Sequence, residues 1–334
     1  MKPVHDLYPR IWAWENLEEA YRKARQGKRG LAPAASFERR LEDHLVGLQD
    51  ELRDGAYRPG PYHSFYIHEP KRRLISAAPF RDRVVHHALC NVIEPLFEHR
   101  FIFDSYANRV GKGTHRALDR CQHFARRYPY ALQLDVVQFF PSIDHALLRQ
   151  ALARVIGDSQ VLFPGDDLFA TLRPRGLPIG NLTSQFWANV YLNGLDHFVK
   201  RELKAAAYLR YVDDLALFAA DKRTLWSWRA ALLDALAGLR LTIHAERAQP
   251  RPVTEGLPFL GFTIFPTHRR LKAQKAVSFQ RRLKQRLAAY GAGRLSREAL
   301  DATVRGWANH VRYGDTWGLR TAILGAAVVP PTRR

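Results

Sequence analysis

The fold is decided by the stretch Tyr211-Val212-Asp213-Asp214, in which two acids stand side by side between two apolar runs. Residues 207–212 and 215–218 predict short buried strands, and the acids predict the tight turn between them. One Asp is enough for a turn, and a second carboxylate ~4 Å away adds roughly 4 kcal/mol of repulsion at an effective dielectric of 20. Divalent cations would reverse that sign. The pair therefore indicates either a plain hairpin tip or a two-metal site for phosphoryl displacement.

A third acid, Asp135, favours the metal site because it ends another apolar strand at residues 131–136. From there the chain reads Asp-Val-Val-Gln-Phe-Phe-Pro-Ser-Ile-Asp. Residues 176–185 then read Gly-Leu-Pro-Ile-Gly-Asn-Leu-Thr-Ser-Gln, and residues 259–262 read Phe-Leu-Gly-Phe. In order and spacing these stretches, from about Tyr66 to Phe262, resemble the reverse transcriptases.

That resemblance implies an α+β fold shaped as a right hand, with fingers, a palm of antiparallel sheet plus helices, and a helical thumb. The expected regions are a basic helical extension (1–58), fingers (59–130), a palm (131–262) and a basic thumb (263–334). Within the palm, residues near 171–203 are expected to form a loop and helix beside the nucleotide.

The resemblance also implies an enzyme, an RNA-directed DNA polymerase that copies template RNA from an RNA or DNA primer with dNTPs. Its catalytic residues would be Asp135, Asp213 and Asp214. Together with Val136 they would hold two Mg²⁺ ions, or Mn²⁺ in their place. Such a reaction rests on positioning and charge neutralisation more than on covalent chemistry by the protein.

The nucleotide site is expected to combine a triphosphate grip with a sugar gate. Arg73 matches the family's triphosphate arginine, whose planar fork suits phosphate oxygens, and Lys71 lies near the expected lysine. Phe140, five residues after Asp135, matches the steric gate against the ribose 2′-OH; alternatively Phe139 and Phe140 are both core. The resemblance adds three residues from the following loop and helix, Ile179, Gly180 and Gln185.

The composition favours a polyanionic partner. Lys and Arg outnumber Asp and Glu by 52 to 32, and the isoelectric point is about 10.3, which is typical of nucleic-acid binding. Arg109 and Lys112 are expected to contact template or primer backbone, and the resemblance adds Tyr211. In the thumb the expected contacts are Arg281, Arg282, Lys284 and Arg286.

A cytoplasmic protein without a membrane partner is the expectation. No apolar run approaches the ~20 residues of a spanning helix, and the first residues lack the apolar core of a signal peptide. Cys90 and Cys121 are too few for a disulfide framework and match no zinc spacing.

Two departures from most reverse transcriptases narrow the subtype. Ile179 stands where relatives carry Gln, and Gln185 where they carry Pro. Both features are similar to the enzymes of diversity-generating retroelements, which copy RNA with errors at adenines and work with a structured RNA and a small basic accessory protein. The alternatives are a group II intron-type enzyme, disfavoured because no maturase extension or zinc-nuclease motif is recognised, and a catalytically silent RNA-binding scaffold. Arg247 stands where many relatives carry a Lys proposed as general acid, a role that Arg serves poorly.

Overall fold

The computed structural model describes residues 2–28, 30–68, 72–162 and 174–327. The chain begins with four helices: α1 (Tyr8–Trp12), α2 (Trp14–Arg25), α3 (Ala32–Glu38) and α4 (Leu41–Arg53). Leucines at helical spacing in α4, Leu45, Leu48 and Leu52, are buried as the sequence predicts. These N-terminal helices share one hydrophobic core with the middle of the chain.

A two-stranded antiparallel ribbon follows, formed by β1 (His63–Ile67) and β2 (Arg73–Ala77), with Phe65 opposite Ile75. Residues 69–71, between these strands, lie outside the described residues, and they include the predicted phosphate ligand Lys71. Two helices come next, α5 (Phe80–Glu98), which packs along α2, and α6 (Thr114–Arg127).

Both cysteines lie inside these two helices. Cys90 belongs to α5 and Cys121 to α6, and each is a free, buried thiol. Burial raises the pKa of the Cys121 thiol to about 12, and it also raises the pKa of Cys90. Neither thiol is therefore a nucleophile at neutral pH.

The central sheet has the strand order β4-β5-β3-β6, and all its pairs are antiparallel. β3 (Tyr130–Asp135) is followed by the helices α7 (Phe139–Ser142), α8 (His145–Ala153), α9 (Ser159–Leu162) and α10 (Leu182–Arg201). Then come β4 (Tyr208–Tyr211), β5 (Asp214–Ala219), α11 (Lys222–Gly238) and β6 (Arg251–Pro252). The predicted strands before and after the paired acids are thus present.

The two faces of this sheet bury different cores because side chains alternate along each strand. Leu132, Leu134 and Leu215 pack into the large core on the first face. Ala131 and Phe218 face the other way, into a second core that includes side chains of α6. Asp135 lies on this second face as well, because it is four residues after Ala131 in the same strand. The acidic end of β3 therefore extends beyond the smaller core.

The chain ends in a small sheet and a helical bundle. β7 (Leu257–Phe259), β8 (Phe262–Ile264) and β9 (Arg269–Leu271) form the antiparallel sheet. α12 (Ala273–Gly291), α13 (Arg297–Val311) and α14 (Trp317–Gly325) form the bundle. Its separate core contains Phe279, whose ring lies parallel to that of Trp307 with centroids 4.0 Å apart.

Candidate active site

Strand register brings two of the predicted catalytic acids together. Asp135, the last residue of β3, lies directly opposite Asp214, the first residue of β5. Opposed residues on one face of an antiparallel pair have Cβ atoms about 4.5–5.5 Å apart. Tyr211 of β4 pairs with Asp214 of β5, and Val212 and Asp213 form the two-residue loop between them. Residues separated by almost 80 positions in sequence thus form one half-exposed acidic edge.

The loop between β4 and β5 has an unusual backbone. Val212 adopts a φ of +55°, in the left-handed region that a β-branched residue rarely occupies. Such a conformation costs of order 1–3 kcal/mol and persists only where the surroundings enforce it. Val212 lies immediately before Asp213, so the surrounding structure must hold the backbone that positions the acids in this strained conformation.

The donor set fits a hard divalent cation, although the protein does not enclose one by itself. In the described part of the chain, no group of three or more His, Cys, Asp or Glu is gathered as a metal-holding cluster. The carboxylate oxygens of Asp135 and Asp214 nevertheless suit Mg²⁺, which is typically bound by one or two carboxylates plus substrate phosphates. Val136 is buried and apolar, so it could contribute only its backbone carbonyl.

A cavity of about 650 Å³ opens beside the acids. Asp135 and Asp214 are among its lining residues, together with Glu246 and Arg247. Lys222 and Lys272 also line it, so cationic side chains share the cavity with the carboxylates. The cavity is therefore suited to a ligand that carries both a phosphate and a metal-binding oxygen.

The two adjacent phenylalanines have different environments. Phe139 is buried in the large core, whereas Phe140 is only half-buried and packs against its edge. Their ring centroids are 5.6 Å apart. The carbonyl of Phe140 accepts a hydrogen bond from the amide of Leu177 at 2.9 Å, which ties it to the loop before α10. Phe139 is therefore a core residue, whereas Phe140 lies at the edge of the core and its role as a gate stays a prediction.

The loop before α10 touches the two-stranded ribbon. The amide of Ser76 donates to the carbonyl of Ile179 at 2.9 Å. Gly180 has a φ of +119°, and a Cβ there would lie 3.0 Å from Cγ2 of Ile75, so only glycine fits comfortably. Ile75 lies two residues from the exposed Arg73, whereas Gln185 is half-buried in the first turn of α10. The structure thus brings Ile179 and Gly180 against the ribbon that carries Arg73.

Arg109 does not fit its predicted role as a nucleic-acid contact. Its side chain is 6% exposed and pairs with Glu98 at 2.8 Å. Its remaining donors bind the carbonyls of Ile102 and Ser105. Because its hydrogen-bond donors are used within the protein, Arg109 stabilises a loop and has few donors left to bind a phosphate.

The other predicted contacts differ in accessibility. Lys112 is partly exposed and donates to the carbonyl of Phe103 at 2.7 Å, which leaves its ammonium further hydrogens to donate. Tyr211 is half-buried, and its hydroxyl lies 3.0 Å from Oγ1 of Thr114. The four predicted cations of α12 lie on the surface, with Arg286 more covered than Arg281, Arg282 and Lys284.

Positive charge is concentrated at the C-terminal end. From residue 263 onward the sequence has fifteen Lys or Arg against Glu298, Asp301 and Asp315. The cations of α2 instead pair locally, with Arg22 2.5 Å from Glu18 and Arg25 2.6 Å from Glu38. The N-terminal helices are thus a weaker candidate for a phosphate surface than the C-terminal bundle.

The sequence profile described as "Reverse transcriptase (RNA-dependent DNA polymerase)" matches residues 67–264. The chain therefore belongs to the reverse transcriptase family, and its enzyme class is RNA-directed DNA polymerase. The matched region contains the three acids, Phe140 and the loop before α10 described above.

Several known proteins are similar to the chain. Protein YkfC of Escherichia coli is 26% identical over 293 residues, covering 72% of this chain and 76% of YkfC. The group II intron-encoded protein LtrA of Lactococcus lactis is 26% identical over 170 residues, covering 47% of this chain. The mitochondrial nuclear intron maturase 2 of Arabidopsis thaliana is also 26% identical, over 146 residues. The chain spans only 28% of LtrA and 20% of the maturase.

Among solved structures, telomerase from Candida Tropicalis, in complex with a fragment of telomeric RNA, matches with a TM-score of 0.51. The match covers 83% of this chain and 58% of the telomerase at 11% identity. This likeness concerns the fold alone and agrees with the right-hand polymerase architecture. Within the described residues, the structure contains no helix with the length and apolarity needed to cross a membrane.

Proposed function

We propose that this chain synthesises DNA on a template RNA by attack of a primer 3′-OH on the α-phosphate of a dNTP. The observation that carries the proposal is the acidic edge, where Asp135 and Asp214 face each other beside the Asp213 turn. The attacked phosphate would sit at this edge, and pyrophosphate would leave on the side of the β1–β2 ribbon that carries Arg73. Like charges held this close serve a reaction only if cations bind there.

Two Mg²⁺ ions, or Mn²⁺ in their place, are the proposed cofactors. Asp135, Asp213 and Asp214 would hold them with the carbonyl of Val136, and when bound the ions would neutralise charge on the attacking and leaving oxygens. Triphosphate oxygens would complete the coordination, which accounts for the lack of a three-ligand protein cage among the described residues.

The remaining regions take supporting roles in this proposal. The ribbon β1–β2 and helices α5 and α6 act as fingers, and Arg73 grips the triphosphate with Lys71 of the joining turn. Phe140 excludes a ribose 2′-OH, because an apolar ring crowds the hydroxyl and offers it no hydrogen bond. The basic C-terminal bundle acts as a thumb that holds the duplex by its phosphates.

The finer proposal is the mutagenic enzyme of a diversity-generating retroelement, and it rests on Ile179 and Gln185. Its partners would be a structured RNA and a small basic accessory protein, and it would act in the cytoplasm, which suits two free thiols. A group II intron-type enzyme is the second candidate. It is favoured by the intron-encoded and maturase relatives, which match over the polymerase segment.

RNA-templated primer extension tests the activity. Wild type should extend a primer in Mg²⁺, and Asp213→Asn should abolish extension while RNA binding stays nearly intact, because the change removes a charge but little volume. Asp234→Asn, at an exposed position of α11, is the matched control and should extend like wild type. Extension by Asp213→Asn above a few per cent of wild type would remove Asp213 from the metal site. Wild-type RNA binding with no extension would favour the silent scaffold.

Sequencing of cDNA from a defined RNA distinguishes the two subtypes. A Gln amide at position 179 could hydrogen-bond the substrate, whereas Ile can only pack, and ~1.4 kcal/mol changes discrimination about tenfold. We therefore expect errors opposite template adenine that Ile179→Gln partly reduces. Uniformly low error at all four bases would leave the intron-type candidate in place. Adenine-biased error that persists in Ile179→Gln would keep the subtype and remove Ile179 from its mechanism.

A further inference from the structure

Arg210, in β4, carries a charge that no solvent reaches. Its side chain and that of its partner Asp196 are both 0% exposed, with Nη2 2.6 Å from Oδ2. A guanidinium buried in this way is stable only if its donors are all occupied. The hydrogen bonds meet that demand: Nε and Nη2 donate to Asp196, Nη1 donates to Oδ1 of Asn189, and Nη2 also reaches Oγ of Ser105 at 3.3 Å.

The fifth donor points to the catalytic loop. Nη1 of Arg210 donates to the carbonyl of Val212 at 3.1 Å. Val212 is the residue with a φ of +55°, and its carbonyl begins the peptide that leads into Asp213. A backbone in this sparsely populated region returns to a common one unless something holds it. Because Arg210 is fully buried, this hydrogen bond holds the peptide from inside the protein.

The other end of the network lies in α10. Asn189 and Asp196 both belong to this helix, which starts at Leu182, two residues after Gly180. Asn189 is itself fixed, because its Nδ2 donates to the carbonyl of Ala107 at 2.8 Å. Arg210 therefore joins the helix behind the nucleotide loop to the turn that bears the acids.

We propose that Arg210 is a positioning residue for catalysis, which holds the Val212 peptide so that Asp213 and Asp214 are presented to the metals. The inference rests on the proposed function of these acids. A purely structural role would stabilise the fold equally well but would not depend on the conformation of Val212.

A double-mutant cycle between Arg210 and Val212 tests the inference. Arg210→Lys keeps the charge but loses the planar five-donor fork. We expect its kcat for RNA-templated extension to fall about 10- to 100-fold, as misplaced catalytic groups do, with the dNTP KM and the primer–template Kd within about twofold of wild type. Glycine adopts positive φ without strain, so Val212→Gly in the Arg210→Lys background should recover about tenfold of the loss.

Two further variants guard against misfolding. Ser105→Ala removes one hydrogen bond of the same guanidinium that does not lead to the loop, so its kcat should stay near wild type. Asn189→Ala loosens the partner that shares Nη1 with Val212. If Arg210→Lys does not fold, Asn189→Ala replaces it in the cycle, with a smaller loss of kcat that Val212→Gly again relieves.

A binding readout separates this inference from the proposed function. In a titration with Tb³⁺, a luminescent stand-in for the divalent ions, Arg210→Lys should bind the acidic edge at least about fivefold more weakly than wild type, and Val212→Gly should restore binding. Equal losses in Ser105→Ala and Arg210→Lys, or no recovery by Val212→Gly, would overturn the positioning role. A wild-type protein that never extends a primer would overturn the polymerase proposal alone, because the Tb³⁺ cycle would still report on Arg210.

Discussion

Replacing Asp135 by Asn removes one of two like charges that face each other across β3 and β5. At a separation of ~5 Å the repulsion is roughly 3 kcal/mol at an effective dielectric of 20 and about 0.8 kcal/mol in water. Because both side chains are half-exposed, the expected gain in free energy of unfolding is about 1–3 kcal/mol. For a chain of 334 residues that corresponds to a Tm rise of roughly 1.5–4 °C in metal-free buffer. Asp135→Asn should thus be more stable than wild type and inactive.

Mg²⁺ should reduce the stability advantage of Asp135→Asn over wild type. A cation at ten times its Kd stabilises the native state by about 1.4 kcal/mol, and only a protein with the full acidic edge gains that amount. Thermal unfolding with EDTA and with Mg²⁺ measures both effects, and Asp234→Asn is the control for a lost surface charge. The reasoning is refuted if Asp135→Asn is no more stable than Asp234→Asn in EDTA, or if Mg²⁺ stabilises the Asp135 variant as much as wild type.

Three other changes probe the gate, the C-terminal bundle and the core. Phe140→Ala should admit ribonucleotides, and unchanged dNTP/rNTP discrimination in single-nucleotide extension would return the ring to a packing role. Replacing four cations of α12 by Gln should weaken RNA–DNA binding; the four are Arg281, Arg282, Lys284 and Arg286. The dependence of log affinity on log salt concentration should fall by about one unit per lost phosphate contact. A weaker affinity with an unchanged slope would indicate folding damage. Burial alone would raise the pKa of Asp144, but hydrogen bonds from the Leu147 amide and Arg240 outweigh it and hold that pKa below its ordinary value. Its contribution is therefore complete above about pH 4 and is lost as pH falls through the depressed pKa, so urea unfolding between pH 2 and 5 should show a shallower acid loss for Asp144→Asn.

The strands and the acids could be predicted because local patterns determine them. Apolar runs that end in Asp135 and surround Asp213 and Asp214 require only a buried strand and a turn. Which strand pairs with which is a long-range property, and the opposition of Asp135 and Asp214 became visible only from the register. The different environments of Phe139 and Phe140 follow from how α7 packs. Two identical neighbouring residues give no indication of that packing.

The roles of the arginine side chains were the hardest feature to predict from the sequence. Arg109 and Arg210 each stand near aromatic residues, and no partner close in sequence indicates that their side chains turn inward. Their donors are used by groups distant in sequence, such as Glu98 for Arg109 and Asp196 for Arg210. The only signal for Arg210 was its place in an apolar strand just before the acids, where a charge would have to be buried and paired.

Because its two thiols are buried, the chain is convenient for site-specific labelling with fluorescent dyes. Because Cys90 and Cys121 are buried and their protonated forms are favoured, maleimide dyes should leave them largely unmodified in the folded protein. A cysteine introduced at Ser64 in the ribbon and another at Gln285 on α12 would then be the reactive pair, since both positions are exposed. A change in energy transfer between dyes at these two positions would show whether the ribbon and α12 move relative to each other when a nucleotide is added.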